Sequence, residues 1–322
     1  MTRSTPRRAF LGACLALLLG VPSASAAGVP SGTPAVDELR VVVTIPDLAD
    51  AVRRIGGDRV RIHSLAKGTE NVHAVRIRPS DLNQTARADL FFEMGLSLEH
   101  AFVPGLLENA SNRKIQPGAP GFVNCSDGWK AIDVPTELSR SDAADLHPFG
   151  NPHFNLDPRG GRHIAARVLE GLKRVDPKHA EEYEERHAAY LKALGEAEAR
   201  WKEHGAALKG QRVVTYHGDF DYLLRALEVE RVGTIEPKPG VPPTPRDLAK
   251  LVAKMKEEGV DVIVTAPWSN DRSVRFVAEK TGARVVVLPG MVGGTKQAKT
   301  WIAMMDQIHT RLVEGLAGKG QS

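Results

Sequence analysis

The sequence predicts an α/β protein of two lobes, each with a mainly parallel sheet flanked by helices, joined by a long rigid connecting helix. In both halves of the chain, short β-branched runs alternate with helical segments, and strands that alternate with helices pair in parallel. Between the halves, residues 159–208 carry almost no strand signal. The length of 322 residues also fits two domains.

The first α/β lobe is predicted over residues 36–177 and the second over residues 209–318. In the first lobe we expect strands at 39–45, 60–65 and 88–93 and helices at 46–55 and 79–86. In the second lobe we expect strands at 212–217, 261–265 and 284–288 and helices at 220–227, 246–259 and 300–316. The helix at 246–259 is amphipathic, because its leucine, valine and methionine side chains recur on one face.

The connecting helix is predicted over residues 178–208. Apolar residues between 165 and 172 first follow helical spacing, and Asp176-Pro177 then marks a break. The next segment is rich in Glu, Ala, Lys and Arg and contains no proline after Pro177, which favours a continuous helix of about 42 Å. Two interpretations stay open: a strut joining both lobes, or a solvated helix with no joining role.

The first 26 residues have the features of a secretory signal peptide. A basic start is followed by an apolar run at residues 10–19 and by Ala24-Ser25-Ala26, a pattern typical of signal peptidase sites. We therefore expect export to the periplasm and cleavage near Ala26. Arg7-Arg8 also resembles a twin-arginine export signal; the alternative is that the two arginines only form a charged start.

Composition excludes several classes of site. Cys125 is the only cysteine of the predicted mature chain, so neither an intramolecular disulfide nor a thiolate-rich metal site is expected. The leader contains three arginines and no acid, so the net charge falls from +4 to +1 on cleavage. Such a balance indicates no nucleic-acid partner.

Three of the eleven histidines differ from the others by position. His217 ends a predicted strand, at the sheet edge where α/β proteins form ligand crevices. His73 lies in the loop after the strand at 60–65, and His153 precedes the helical region. Three converging imidazoles would suit zinc, with one position left for a carboxylate or water. Spacing alone is not diagnostic, because HExxH is absent.

Four segments occur in order around these histidines: GTENVHAVRIRPSDL, ADLFFEMGLSLEH, NPHFNLDP and VVTYHGDFDYL. They resemble the motifs H-x-Y-x-P-x-P-S-D, A-D-L-h-h-x-x-G-x-x-x-E, D-P-H-h-W-L-D-P and V-x-x-H-x-A-Y-x-Y-L of the zinc and manganese solute-binding proteins of bacterial ABC importers, the TroA-like or cluster A-I group. The resemblance extends over about residues 38–315. Among the departures, Asn151 replaces an aspartate and Asn155 a tryptophan.

The resemblance implies a helical backbone metal receptor with the ion held between the lobes. It assigns His73, His153 and His217 as metal ligands, and the third histidine favours zinc because manganese-type members tend to use a carboxylate there. The family's fourth ligand, an aspartate, is absent: Pro289 and Gly290 stand where it is expected. Glu236, in a proline-rich loop, is the preferred substitute, although it could also be an ordinary surface acid.

Asp219 is the second candidate for the fourth ligand, and water is the third. His147 lies in SDAADLHPFG, which is similar to a short version of the family's histidine-rich loop. It is either a transient ligand or, in our preferred interpretation, an ordinary loop residue.

The function implied is capture of Zn²⁺ in the periplasm and delivery to a membrane permease and its ATPase, by a monomer without enzymatic activity. Mn²⁺ is the alternative metal, followed by iron or copper. A three-histidine zinc hydrolase, in which the metal activates a water molecule, is the alternative from another class. A surface adhesin is disfavoured because the chain has no added adhesive segment.

Overall fold

The strands lie close to where the sequence predicts them. The computed structural model describes residues 38–135, 147–236 and 241–318, so the predicted leader at 1–26 lies outside the described residues. The first sheet comprises β1 (Leu39–Val43), β2 (Val60–Ser64), β3 (Leu90–Glu93) and β4 (Phe122–Asn124). The second comprises β5 (Arg212–Thr215), β6 (Glu230–Thr234), β7 (Val262–Thr265) and β8 (Arg284–Val287).

Helices connect the strands in the alternating order expected. They are α1 (Pro46–Gly56), α2 (Pro79–Ala86), α3 (Val103–Ala110), α4 (Gly160–Val175), α5 (Ala180–Gly205), α6 (Asp221–Ala226), α7 (Pro245–Glu257), α8 (Asp271–Thr281) and α9 (Trp301–Leu316). Proline occupies the first turn of α1, α2, α3 and α7. At that position the missing N–H costs no helical hydrogen bond. The sequence interpretation missed α3, α8, β4 and β6.

Both sheets have the same strand order. The first runs β2-β1-β3-β4 and the second β6-β5-β7-β8, with parallel pairing throughout the described residues. The predicted two-sheet α/β class is therefore confirmed. In each sheet the strand order reverses beside the first strand, β1 or β5. Ligands of α/β proteins bind outside the carboxyl ends of the strands at such a reversal.

The long helix α5 packs against elements of both halves. Its buried side chains include Tyr183, Tyr190, Leu194 and Trp201, whose spacing places them on one helical face. The helix contacts α1 and α4 of the first half and α9 of the second. The interpretation of α5 as a helix that joins both halves is therefore confirmed. Short 3-10 turns at Pro177–His179 and Ala206–Leu208 flank it.

One hydrophobic core includes side chains from both sheets. Its buried members include Val41 and Phe91 of the first sheet, Val264 and Val286 of the second, and side chains of α5. All described residues belong to one compact unit. Within the described ranges, no helix combines the length and apolar character required to cross a bilayer.

Candidate metal centre

His217 lies at the strand reversal of the second sheet. It follows β5 after one residue and directly precedes the 3-10 turn Gly218–Phe220, which leads into α6. Tyr216 still donates its backbone N–H to Val264 of β7, so the chain leaves the sheet only at His217. The side chain is 5% exposed. The edge position predicted from the sequence is therefore where the structure has this histidine.

The backbones of His73 and His153, on two different loops, are fixed by the same kind of hydrogen bond. His73 lies in the 3-10 turn Val72–Ala74, and its backbone N–H donates to Oδ1 of Asn71 at 3.0 Å. His153 directly precedes the turn Phe154–Leu156, and its N–H donates to Oδ1 of Asn151 at 2.9 Å. In both cases an asparagine two residues earlier fixes the backbone of the histidine.

The three histidines converge with one carboxylate. One ligand atom from each of His73, His153, His217 and Asp219 lies within 4.8 Å of the others. Nε2 of His73 is 3.2 Å from Nε2 of His153, and Oδ1 of Asp219 is 3.3 Å from the latter atom. All four side chains are buried. Such a set of three nitrogens and one oxygen suits a four-coordinate ion.

Glu236 lies behind the histidines, outside this group of converging atoms. It follows β6 by two residues, and its Oε2 is 2.6 Å from Nδ1 of His217. Asp219, the second candidate from the sequence, therefore has the position expected of a fourth ligand. The carboxylate of Glu236 instead pairs with the far nitrogen of His217, an arrangement common behind metal-bound histidines.

Gly290 contributes a carbonyl at the position where the family aspartate was expected. Its oxygen accepts a hydrogen bond of 3.2 Å from Nδ2 of Asn155, which also donates to Oδ1 of Asp47 at 3.1 Å. The loop after β8 thus packs on the segment that carries His153. The sequence interpretation missed supporting roles for Asn71, Asn151 and Asn155. A polar side chain two residues before a candidate histidine was the available signal for the first two.

Burial determines the charge of the site. It lowers the pKa of His73 and of His153 well below the ordinary value, and neighbouring imidazoles lower both further. Both rings are therefore neutral at neutral pH, with a lone pair available to a metal. Burial raises the pKa of Asp219 to about 6, so this carboxyl is ionised above that pH. The residues present therefore fit a divalent cation.

The family comparison agrees with this geometry. Residues 41–315 match the family model ZnuA, described as zinc-uptake complex component A, periplasmic. This chain belongs to the ZnuA family. The resemblance predicted from the four motifs is confirmed, and the protein is a metal-binding component of an ABC importer. The periplasmic family description and the lipoprotein names of the relatives indicate an exported protein.

Curated relatives of this ZnuA family member are named for several metals. A manganese ABC transporter substrate-binding lipoprotein, PsaA of Streptococcus pneumoniae, is 25% identical over 312 residues, 94% of this chain and 96% of the relative. An iron ABC transporter substrate-binding lipoprotein, MtsA of Streptococcus pyogenes serotype M1, is 26% identical over 318 residues, 96% and 97% of the two chains. The relatives' names thus leave the metal open.

Solved structures show the same fold. A crystal structure of ZnuA superposes with a TM-score of 0.72 at 21% identity and covers 87% of this chain and all of that one. A Mn-bound periplasmic metal-binding protein from candidatus liberibacter asiaticus gives 0.72 at 19% identity, with the same coverage. At such identities the likeness extends to the fold alone.

His147 lies beside the ZnuA-family site. Its ring centroid is 5.1 Å from that of His73, and both ring nitrogens are buried without a hydrogen-bond partner among the described residues. Burial lowers the pKa of His147 to about 4, so the ring is neutral. The loop before it, residues 141–146, lies outside the described residues. His147 is thus close enough to assist a metal without belonging to the group of four.

Proposed function

We propose that the protein binds zinc through His73, His153, His217 and Asp219, captures it in the periplasm and delivers it to an ABC permease and its ATPase. The observation that carries the proposal is the buried convergence of three imidazoles with one carboxylate. Zinc accepts nitrogen and oxygen ligands in tetrahedral geometry. Glu236 acts behind His217, as an acceptor for Nδ1.

The two lobes, residues 36–177 and 209–318, each supply part of this site in our proposal. The connecting helix at 178–208 keeps them together. The protein is expected to work as a monomer after cleavage near Ala26. It binds and releases the ion without covalent chemistry, since the closed donor set leaves no coordination position for a reactive water.

Manganese is the second candidate. The carboxylate oxygen of Asp219 is a harder ligand than a histidine nitrogen. Hard oxygen ligands suit manganese, so Asp219 reduces the preference of the site for zinc over manganese. The name of the PsaA relative includes manganese. Competition between Zn²⁺ and Mn²⁺ for the metal-free protein decides between the two, with tighter zinc binding expected from the three nitrogens.

Metal analysis of protein purified without added metal tests the proposal. Wild type is expected to contain one zinc per chain, and His73→Ala, His153→Ala and His217→Ala to contain little. His204→Ala is the control, because this histidine is exposed on α5. Stoichiometric zinc in the three histidine variants would contradict the proposal. Turnover of an activated ester by the zinc-loaded protein would favour the hydrolase instead.

A further inference from the structure

Asn151 connects the segment that carries His153 with the segment that carries His217. Its Oδ1 accepts the backbone N–H of His153 at 2.9 Å, and its Nδ2 donates to the carbonyl oxygen of Gly218 at 2.9 Å. Gly218 lies between His217 and Asp219 in the chain. One side-chain amide therefore bonds the backbone of one metal-binding loop and the peptide that links two ligands of the other.

The backbone of Asn151 is itself held in place. Its N–H donates to the carbonyl of Ile132 at 2.8 Å, and its own carbonyl accepts from the hydroxyl of Tyr222 at 2.8 Å. That hydroxyl also accepts from Nε1 of Trp129 and from the N–H of Ile132, both at 3.2 Å. Tyr222 is buried in α6, five residues after His217. The amide thus has a fixed position from which to orient its partners.

The donor half of the amide is what distinguishes Asn151 from Asn71. Both asparagines accept the N–H of the histidine two residues later. Among the described residues, the side chain of Asn71 makes no bond outside its own turn, whereas Asn151 reaches Gly218. A carboxylate at position 151 could still accept from His153. It could not donate to Gly218, and its second oxygen would face the carbonyl oxygen at hydrogen-bonding distance.

We propose that Asn151 is a positioning residue that couples His153 to the turn carrying His217 and Asp219, and so slows release of the metal. This inference rests on the proposed function. When the bond to Gly218 is lost, the loop that carries His153 can move independently of the turn that carries His217 and Asp219. The ligands on these two segments then no longer leave or approach the ion together. Partners behind metal ligands typically change affinity by about 10-fold to 100-fold.

Zinc release tests this role. Asn151→Asp and Asn71→Asp form a matched pair: each adds one carboxylate two residues before a histidine ligand and keeps the acceptor for its N–H, but only the first removes the bond to Gly218. The zinc-loaded proteins are mixed with an excess of chromophoric chelator, and the dissociation rate is followed. We expect release from Asn151→Asp to be about tenfold or more faster than from Asn71→Asp.

A second pair of variants distinguishes the proposed positioning role from a folding defect. Asn151→Ser and Asn71→Ser retain a short acceptor for the histidine N–H, and Asn151→Ser cannot reach Gly218. The visible spectrum of the Co²⁺-loaded proteins reports ligand geometry and should change for the Asn151 variants only. Urea unfolding of the metal-free proteins measures stability separately.

Equal release rates within both pairs, with unchanged Co²⁺ spectra, would overturn the proposal, as would a loss of stability without faster release. Failure of the wild type to bind zinc would instead overturn the proposed function, and the two failures are therefore distinguishable.

Discussion

The two acids near His217 differ in what they contact. Oδ1 of Asp219 is 3.3 Å from Nε2 of His153 and 3.9 Å from Nε2 of His217, whereas Oε2 of Glu236 is 2.6 Å from Nδ1 of His217. With Nδ1 paired to Glu236, Nε2 of the same ring is left for the metal. Their residue type is similar, so position alone gives these two carboxylates different contacts, and in our proposal only Asp219 is a ligand.

Substitution of each acid should therefore have a different effect. Asp219→Asn removes a charged ligand, and we expect a larger loss of zinc affinity than the roughly tenfold loss expected for Glu236→Gln, which weakens only a partner of His217. Asp219→Asn should also shift selectivity from manganese toward zinc, because a hard oxygen ligand is lost. Chelator competition with both metals measures this. A larger loss of zinc affinity for Glu236→Gln than for Asp219→Asn would indicate that Glu236 is the ligand.

Gly68 is a residue at which the two halves approach closely. A Cβ atom at this position would lie 2.2 Å from the carbonyl oxygen of Val292, which is backbone and cannot rotate away. Gly68→Ala should therefore lower the free energy of unfolding by about 1–3 kcal/mol, as overpacking does.

Gly105→Ala is the matched control for Gly68→Ala. Gly105 is exposed in α3 with nothing within 4 Å of a Cβ atom. Alanine is the better helix former there, by about 0.5–1 kcal/mol. Urea unfolding measures both variants, and equal stability of the two would contradict the close approach at Gly68.

At the scale of elements, α1 of the first half holds the loop after β8 of the second half. Oδ2 of Asp47 accepts the backbone N–H of Val292 at 3.0 Å, and Oδ2 of Asp50 accepts that of Trp301 at 2.9 Å. Both carboxyls are buried. These bonds fix a loop that has proline and glycine where a metal-binding aspartate was expected, so the loop here serves as a contact between halves.

The buried position of Asp47 makes this contact sensitive to pH. Burial raises the pKa of Asp47 from 3.8 to about 7, and the charge of Asp50 adds to the rise. The folded protein therefore holds this proton more tightly than the unfolded chain. The stability that the proton contributes is complete below about pH 4 and is lost as the pH rises through about 7.

Asp47→Asn should therefore flatten the pH dependence of stability. In metal-free protein, the free energy of unfolding of wild type should fall from pH 5 to pH 7 more steeply than that of the variant, by at most about 1.4 kcal/mol per pH unit, the slope for one proton. Urea unfolding across this range measures it. Asp58→Asn, at an exposed position, is the control. Parallel curves for wild type and Asp47→Asn would contradict the expectation.

At the scale of the whole molecule, we expect metal binding and folding to be linked. The three proposed histidine ligands lie about 64 and 80 residues apart in the chain, on a core that includes both sheets and α5. An ion that binds only the folded chain stabilises it by about 2.7 kcal/mol at a hundred times its dissociation constant. Binding at this site should therefore raise the melting temperature of the entire protein.

Calorimetry with and without zinc checks this linkage. Wild type should melt at a higher temperature with zinc than with a chelator, in one transition. His153→Ala should show almost no zinc-dependent shift, while His204→Ala should behave as wild type. A shift of equal size in His153→Ala would mean that zinc stabilises the protein from another site.

The sequence by itself determined the type of most elements and the three candidate histidines. The β-branched runs at 39–45 and 60–65 specify strands because they must be buried in a sheet, and the alternation with helices forces parallel pairing. Strand β4 escaped prediction because its three residues, Phe122–Asn124, carry no measurable periodicity. Strand β6, Glu230–Thr234, escaped prediction because two charged residues and a glycine interrupt its β-branched pattern. The family motifs identify His73, His153 and His217 as candidate metal ligands from the sequence alone.

Only the tertiary structure decided which acid joins the histidines and what Asn151 contacts. In the sequence, Asp219 follows a predicted strand and Glu236 lies in a proline-rich loop. In the structure, the turn after His217 directs the carboxylate of Asp219 toward His153, while β6 brings that of Glu236 behind the ring of His217. Asn151 and Gly218 are 67 residues apart, and their hydrogen bond exists because packing of α6 brings the loops together. Local sequence fixes backbone preferences, whereas distances of a few ångströms between remote side chains follow from the packing of the whole core.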